Sequence, residues 1–267
     1  MPGRITRIEV LLIGVALGLA AAWLAGAMER NRRLRDVSEC SANLRGMGNT
    51  MYIYGADGDL FPVLFNSSRA GEMTTFAYRD RRPRPGDVPS PTADLWALAH
   101  ANNTTPMQFV CPASRDRPDP AQDTTLYHDF AGPGHLSYSY NYQYHPRRKP
   151  LGFSSNPLAP LMADANPYLK GGVSAAPVAD RGAFGMGNSL NHRPRAGQNV
   201  LFVDSHVAFE RSPVPYESTR YPDPTDMTFP LGDNVYTTHV DGAADPGEAP
   251  TWTRVKLGAV SDYVLVP

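Results

Sequence analysis

From Val10 to Met28 the chain carries no charged residue, and no proline interrupts it between Pro2 and Pro62. About 20 apolar residues are what a helix needs to cross a bilayer. Beyond Met28 the apolar residues keep a helical period. Leu34, Val37, Cys40 or Ala42, Leu44, Met47, Met51 and Tyr54 recur at steps of three and four, the pattern of an amphipathic helix that continues from the span. Gly46 and Gly48 weaken it by roughly 1 kcal/mol each. Asp and Gly at Ala56–Asp59 form a stop signal. The sequence therefore divides into a transmembrane and stalk helix over 1–55 and a globular domain over 56–267.

The remaining residues suffice for one well-cored domain. Gly 23 and Pro 26 in 267 residues exceed the usual share and indicate a loop-rich domain with β-structure. The fold class is α+β, a long helix packed on an antiparallel sheet. The formal net charge of -1 supplies no general field toward nucleic acid. The two cysteines, Cys40 and Cys111, fit no metal or redox spacing. Outside the cytoplasm they could join, and closing so long a loop would contribute roughly 4 kcal/mol. The alternative is two separate buried thiols.

Three readings of the first helix compete. One is a plain signal anchor. A second is a cleaved secretory signal, with Arg4 and Arg7 as its basic region and Ala25-Gly26-Ala27 as the cut site. The third starts from Glu9, whose carboxylate sits at the mouth of the apolar run, where entry into lipid costs a few kcal/mol. Ile5, Thr6, Ile8, Glu9 and Val10 resemble the processed N-terminus of type IV pilins and pseudopilins. In those filaments the glutamate faces the amine of a neighbouring subunit, and two charges that are costly alone become tolerable as a pair. The resemblance implies processing by a prepilin peptidase between Arg4 and Ile5, although Arg4 stands where the family has glycine and Arg7 replaces an apolar residue. Arg30, Arg32, Arg33 and Arg35 follow the span and by the positive-inside tendency favour a cytoplasmic side; pilin-like stalks often begin with basic residues and still face outward.

Further residues resemble a bacterial group of prepilin-type proteins whose C-terminal motif is His, nine residues, Asp-Gly. Cys40, Asn43, Leu44, Arg45, Gly48, Tyr54, Asp57, Phe61 and Pro62 match its stalk end. Phe109, Cys111 and Pro112 match a second element, which strengthens the Cys40–Cys111 pairing. His192, Asp204, Ser205 and His206 match the C-terminal motif, with eleven residues (193–203) where the group has nine. Ser205 replaces a glycine that suits a hairpin with positive φ. The insertion is expected to lengthen the loop and leave the hairpin intact. Physically, Asn43 is expected to hydrogen-bond to a sheet edge and Phe61 to staple the exiting chain to the core.

The spacing predicts a helix from Thr92, as N-cap, to about Asn102 and a brief strand over 107–112. A strand with an aromatic core face follows at Leu136, Tyr138, Tyr140 and Tyr142, then a buried strand over Leu158–Ala163 closing on Asp164. A hairpin follows, of Val200–Val203 and His206–Phe209 around Asp204-Ser205. Two terminal edge strands are expected at 233–238 and 261–267, the latter an Asp-x-x-Leu-x-Pro ending common in that group. Residues 66–91, with Arg79, Arg81, Arg82 and Arg84, read as a solvated loop that could alternatively touch an acidic partner or polysaccharide.

His192, Asp204 and His206 have the residue types of a metal site; Asp204 reads equally well as a turn residue, and His192 as a hydrogen-bonding partner of the hairpin backbone. Calcium at Asp57–Asp59 or in the acidic stretch 223–245 is a further alternative, without an EF-hand ligand series. No cofactor is expected. No HExxH, GxSxG or P-loop occurs, and the glycines at Gly185 and Gly187 lack the third glycine of a dinucleotide site. The sequence thus points to a non-catalytic, pseudopilin-like subunit in the inner membrane. It would pass the membrane once, carry an extracytoplasmic domain and assemble with itself through the helix into a pilus-like or secretion-like fibre. The alternative is a membrane-anchored module that binds a polysaccharide or an ion.

Overall fold

Thr6 starts the first helix. Its hydroxyl accepts the Glu9 N–H at 3.3 Å while the Glu9 carboxylate accepts the Thr6 N–H at 2.7 Å, a capping box that satisfies two end donors reciprocally. From there α1 runs unbroken over Arg7–Gly55. It stops where Gly58 and Asp59 both donate to the Gly55 carbonyl and Asp59 turns to φ 60°. The computed structural model describes residues 6–65, 69, 71–144, 149–170, 187–192, 196–213, 235–236 and 265–266.

The two halves of α1 have opposite surroundings. Its apolar first half is bare: the membrane-length window is 0% buried. In the second half Cys40, Leu44, Met47 and Met51 form a fully buried stripe. That stripe lies on an antiparallel sheet of β1 (Tyr138–Asn141), β2 (Pro160–Asp164), β3 (Gln198–Phe202), β4 (Val207–Glu210) and β5 (Leu265–Val266) in the order β4-β3-β2-β1-β5. Gly48 makes the approach close, because a Cβ there would stand 3.1 Å from Leu201 Cδ1. Tyr52 donates to the Val203 carbonyl at 2.6 Å, and the Asn199 amide donates to the Val37 carbonyl at 3.3 Å. The molecule is α+β, with α1 on one face of the sheet.

Helix α2 (Pro91–His100) shares one core with the buried stripe of α1 and with β1, with Leu95, Trp96 and Leu98 fully buried. The core gathers α1, α2, Phe61, Phe109, Phe130 and the inward residues of β1 and β2. Phe61 is buried, as expected of a staple. The second sheet face is covered too. Val200, Phe202 and Ala163 pack with Val235, Tyr236 and Leu265. The polar residues of β1 are therefore also buried: Ser139 accepts the Asn166 N–H, and Asn141 donates to the Pro160 carbonyl. β4 is half-exposed, as an edge strand is.

Several expectations need correction. Residues 107–112 form no strand. Pro106 opens a 3-10 turn over Pro106–Phe109, and Pro112 lacks the N–H a ladder needs. The α2 N-cap is Ser90, which accepts the Ala93 N–H at 3.3 Å with Pro91 in the first turn, and the helix ends at His100. Thr92 instead accepts the Phe76 N–H. β2 begins at Pro160, two residues after Leu158. β4 begins at Val207, not at His206. Leu34 is exposed, because α1 meets the sheet only from about Val37 onward. Asn43 donates to the Val110 carbonyl at 3.0 Å, in the segment beside Cys111 and not at a sheet edge. Arg79 is no solvated loop residue. Its guanidinium grips both Asp119 oxygens at 2.8 and 3.0 Å and lies 3.9 Å from the Tyr127 ring centroid. Leu265–Val266 forms the expected edge strand beside β1; of 233–238 only Val235 and Tyr236 are described, in a turn.

Candidate functional site

The N-terminal residues singled out from the sequence fall in two classes. Arg4 and Ile5 lie outside the described residues. Glu9 is exposed, and its carboxylate takes hydrogen bonds from the Thr6 N–H at 2.7 Å and the Thr6 hydroxyl at 3.0 Å. Both donors are neutral, so the carboxylate has a cap to hold and, among the described residues, no ion pair. The Thr6-x-x-Glu9 spacing is the capping-box signature, a signal present in the sequence that the pilin resemblance overshadowed. Further along, Arg33 and Arg35 pair with Glu29 and Glu39 one turn away. Such exposed pairs contribute only a few tenths of a kcal/mol.

Cys40 and Cys111 are bonded, with Cα atoms 5.1 Å apart. The bond ties the middle of α1 to the segment before β1. Beside it lies a buried polar centre that the sequence reading found only in part. Asp164, at the end of β2, accepts from His192 Nε2 at 3.0 Å, the Asn199 N–H at 2.6 Å, the Asn199 side chain at 3.2 Å and the Asn191 side chain at 3.0 Å. The Asn191 amide also donates to the Ser137 carbonyl. Asp164 and the His192 side chain are almost wholly buried. His192 thus bonds side chains, not the hairpin backbone.

His192, Asp204 and His206 do not converge. His206 Nδ1 bonds Asp204 across the tight turn, both groups are about two-fifths exposed, and His192 is held by Asp164 instead. Ser205 does adopt positive φ, 69°. Its N–H donates to the Phe202 carbonyl, and the Phe202 N–H to the His206 carbonyl. This is a three-residue hairpin with a left-handed third residue. The hairpin is intact; of the inserted stretch, 193–195 lies outside the described residues. Among the described residues, one group of candidate ligand atoms lies within 4.8 Å of one another: Cys40, Cys111, Asp164 and His192. Both sulfurs are spent on the disulfide, and a cysteine binds metal as the thiolate. With Asp164 held by the Asn191 and Asn199 amides and the His192 imidazole, the centre is a clasp that joins β2, β3, the segment just before β1 and, through Asn199, α1. Asp57 and Asp59 belong to no such group; nearly all of 223–245 lies outside the described residues.

No family model, no curated protein and no solved structure matches this chain. The signal missed at Asp164 was available in kind. A carboxylate closing the apolar run Leu161–Ala163 must find donors or stay in water, but which donors come is a matter of tertiary contact.

Proposed function

We propose that this chain is a non-catalytic, pilin-like structural subunit, anchored in the inner membrane by α1. Its globular domain lies outside the cytoplasm, and it assembles through the helix into a pilus-like or secretion-like fibre. The observation that carries the reading is the divided surroundings of one unbroken 49-residue helix. The second half is the core of the domain, so the first half projects rigidly from it. Val10–Met28 spans about 28 Å at 1.5 Å per residue, close to the hydrocarbon thickness. Ile8, Leu11, Leu19 and Trp23 are each more than two-thirds exposed, so lipid or other copies of the same helix must cover them. Glu9 marks the start of that bare surface with a charge that has no ion pair among the described residues. The amine of a neighbouring chain cut before Ile5 would supply one. The disulfide fits an oxidising compartment.

The test is the mature N-terminus, by mass spectrometry of protein from native membranes, with electron microscopy of the cell surface. A chain beginning at Ile5, together with filaments, supports processing and assembly. A chain beginning at Met28 sinks the reading, because the bare segment would be gone. An intact start without filaments leaves an anchored module that does not polymerise.

A further inference from the structure

A cleft of about 760 Å³ opens between the loop at Arg82–Pro85 and the outer face of α2, within the range of small-ligand sites. Its lining brings together Arg82, Arg84, His100 and His128 with the faces of Tyr54 and Pro83, and includes no carboxylate. The loop's own acid is already engaged: Asp87 accepts from both Arg81 nitrogens at 2.7 and 3.1 Å and from the Arg84 N–H at 2.8 Å. The Arg82 and Arg84 side chains are exposed, and the Arg84 charge is felt by Asp87, whose two oxygens are already held by Arg81 and the Arg84 N–H. The two imidazoles lie 4.9 Å apart, tilted by 36°. His100 Nδ1 donates to the Tyr127 carbonyl at 2.9 Å, which fixes the ring against the wall of the cleft. Asp87 and Asp123 offset part of this positive charge from beside the cleft, but no carboxylate lies in its lining, so the cost of gathering the like charges falls further when an anion enters.

We propose that this cleft binds an acidic polysaccharide. Arg82 and Arg84 hold its anionic groups, and its sugar rings lie against Tyr54, Pro83 and the two imidazoles. A guanidinium grips carboxylate or sulfate oxygens in pairs, and the apolar faces between the charges suit a ligand of alternating charge and ring. The chain's net charge of -1 makes the attraction local to the cleft and not a general affinity for polyanions. The inference rests on the cleft and holds whether or not the chain polymerises.

Binding should strengthen in acid. His128 is held below the ordinary histidine value by burial, then by the charges of His100 and Arg82. His100 faces His128 and the carboxylate of Asp123 on the neighbouring turn, and buried Asp94 lies beneath Tyr54. An anion in the cleft favours the protonated His128 imidazole, so that proton helps the ligand and the reverse.

The experiment is calorimetric titration of the full chain in detergent micelles at low salt. The probes are polygalacturonate, sulfated dextran, neutral dextran and single-stranded DNA. Binding of an acidic polysaccharide without neutral dextran is expected, and the stronger of the two acidic polymers identifies carboxylate or sulfate as the preferred group. Arg82→Gln and Arg84→Gln should each weaken it about tenfold. Both positions are exposed, so the fold is not at risk. His128→Asn should remove the gain in affinity between about pH 8 and pH 5.5 while leaving binding at the higher pH. Equal binding of neutral dextran, equal binding of DNA, or unchanged affinity in both arginine variants would overturn the proposal.

Discussion

At Ser205 a single side chain is out of place. Its φ of 69° is one that L-residues other than Asn and Asp rarely adopt, and its hydroxyl is buried with no hydrogen-bond partner. Ser205→Gly removes both costs and adds some unfolded-state entropy. The expected result is a gain of about 1 kcal/mol in urea unfolding of the full chain in micelles; a loss would show that the hydroxyl has a role the geometry does not contain. Asp164 is the opposite case. Asp164→Ala strands donors of Asn191, His192 and Asn199 in the core, and each buried orphan costs about 1–3 kcal/mol. A loss of at least about 3 kcal/mol is expected, and clearly less for Asp164→Asn, which keeps one acceptor. If the alanine variant melts with the wild type, the clasp is not structural. The Ser205 turn was legible because a tight hairpin's dihedrals follow from local sequence. The Asp164 clasp was not, because its donors come from residues 27 to 35 positions away.

Two glycines on α1 look equivalent in sequence and differ in the folded element. A Cβ at Gly46 would meet the end of the Gln108 side chain, which can swing aside; at Gly48 it would meet Leu201 Cδ1 at 3.1 Å and the Ser205 hydroxyl at 3.3 Å. Gly46→Ala should therefore gain up to about 1 kcal/mol of helix propensity, while Gly48→Leu should lose about 2 kcal/mol by pushing the helix off β3. Equal effects at the two sites would mean that α1 does not dock through Gly48. The same helix carries Cys40, and its bond to Cys111 closes a separation of 71 residues. Reduction by a phosphine should lower unfolding stability by about 4 kcal/mol in the chain-entropy account, and Cys40→Ser should match it. A much smaller loss would place residual order in the reduced unfolded chain. The length and stop of α1 were readable from periodicity and Ala56–Asp59. The range that docks was not: Leu34 fits the stripe as well as Leu44 does, and only the position of the sheet tells them apart.

Across the whole molecule, the α+β class and the four-strand core of the sheet followed from apolar runs and turn residues. The 3-10 turn at Pro106 and the second cover over β1 did not, since both are set by distant packing. Distant packing also buries two carboxylates that no motif marks. Asp94 accepts from the Tyr144 hydroxyl at 2.7 and 2.8 Å and the Leu64 N–H at 2.8 Å. Asp129 accepts from the N–H groups of Phe130 and Tyr78 and the Ser90 hydroxyl. Burial drives Asp129 up to about 6, and drives Asp94 well above the usual carboxylate range, with the nearby Asp129 charge adding to it. A carboxyl whose folded value is raised holds its proton more tightly folded than unfolded. Its stabilising effect is complete below the unfolded value near 4 and is lost as pH rises toward the folded value. For Asp129 the loss falls between about pH 4 and 6 and amounts to roughly 3 kcal/mol; Asp94 extends the decline to higher pH. Half-buried Asp87 and exposed Asp123, whose values are lowered by hydrogen bonds, act in the opposite direction below pH 4. The difference between wild type and Asp129→Asn isolates the term. Urea unfolding of both in micelles should show the wild type losing stability relative to the variant from about pH 4 to 6, then running parallel to it. A flat difference over that interval would mean that Asp129 ionises in the folded domain as freely as in the unfolded chain, and that its hydrogen bonds offset the whole cost of its burial.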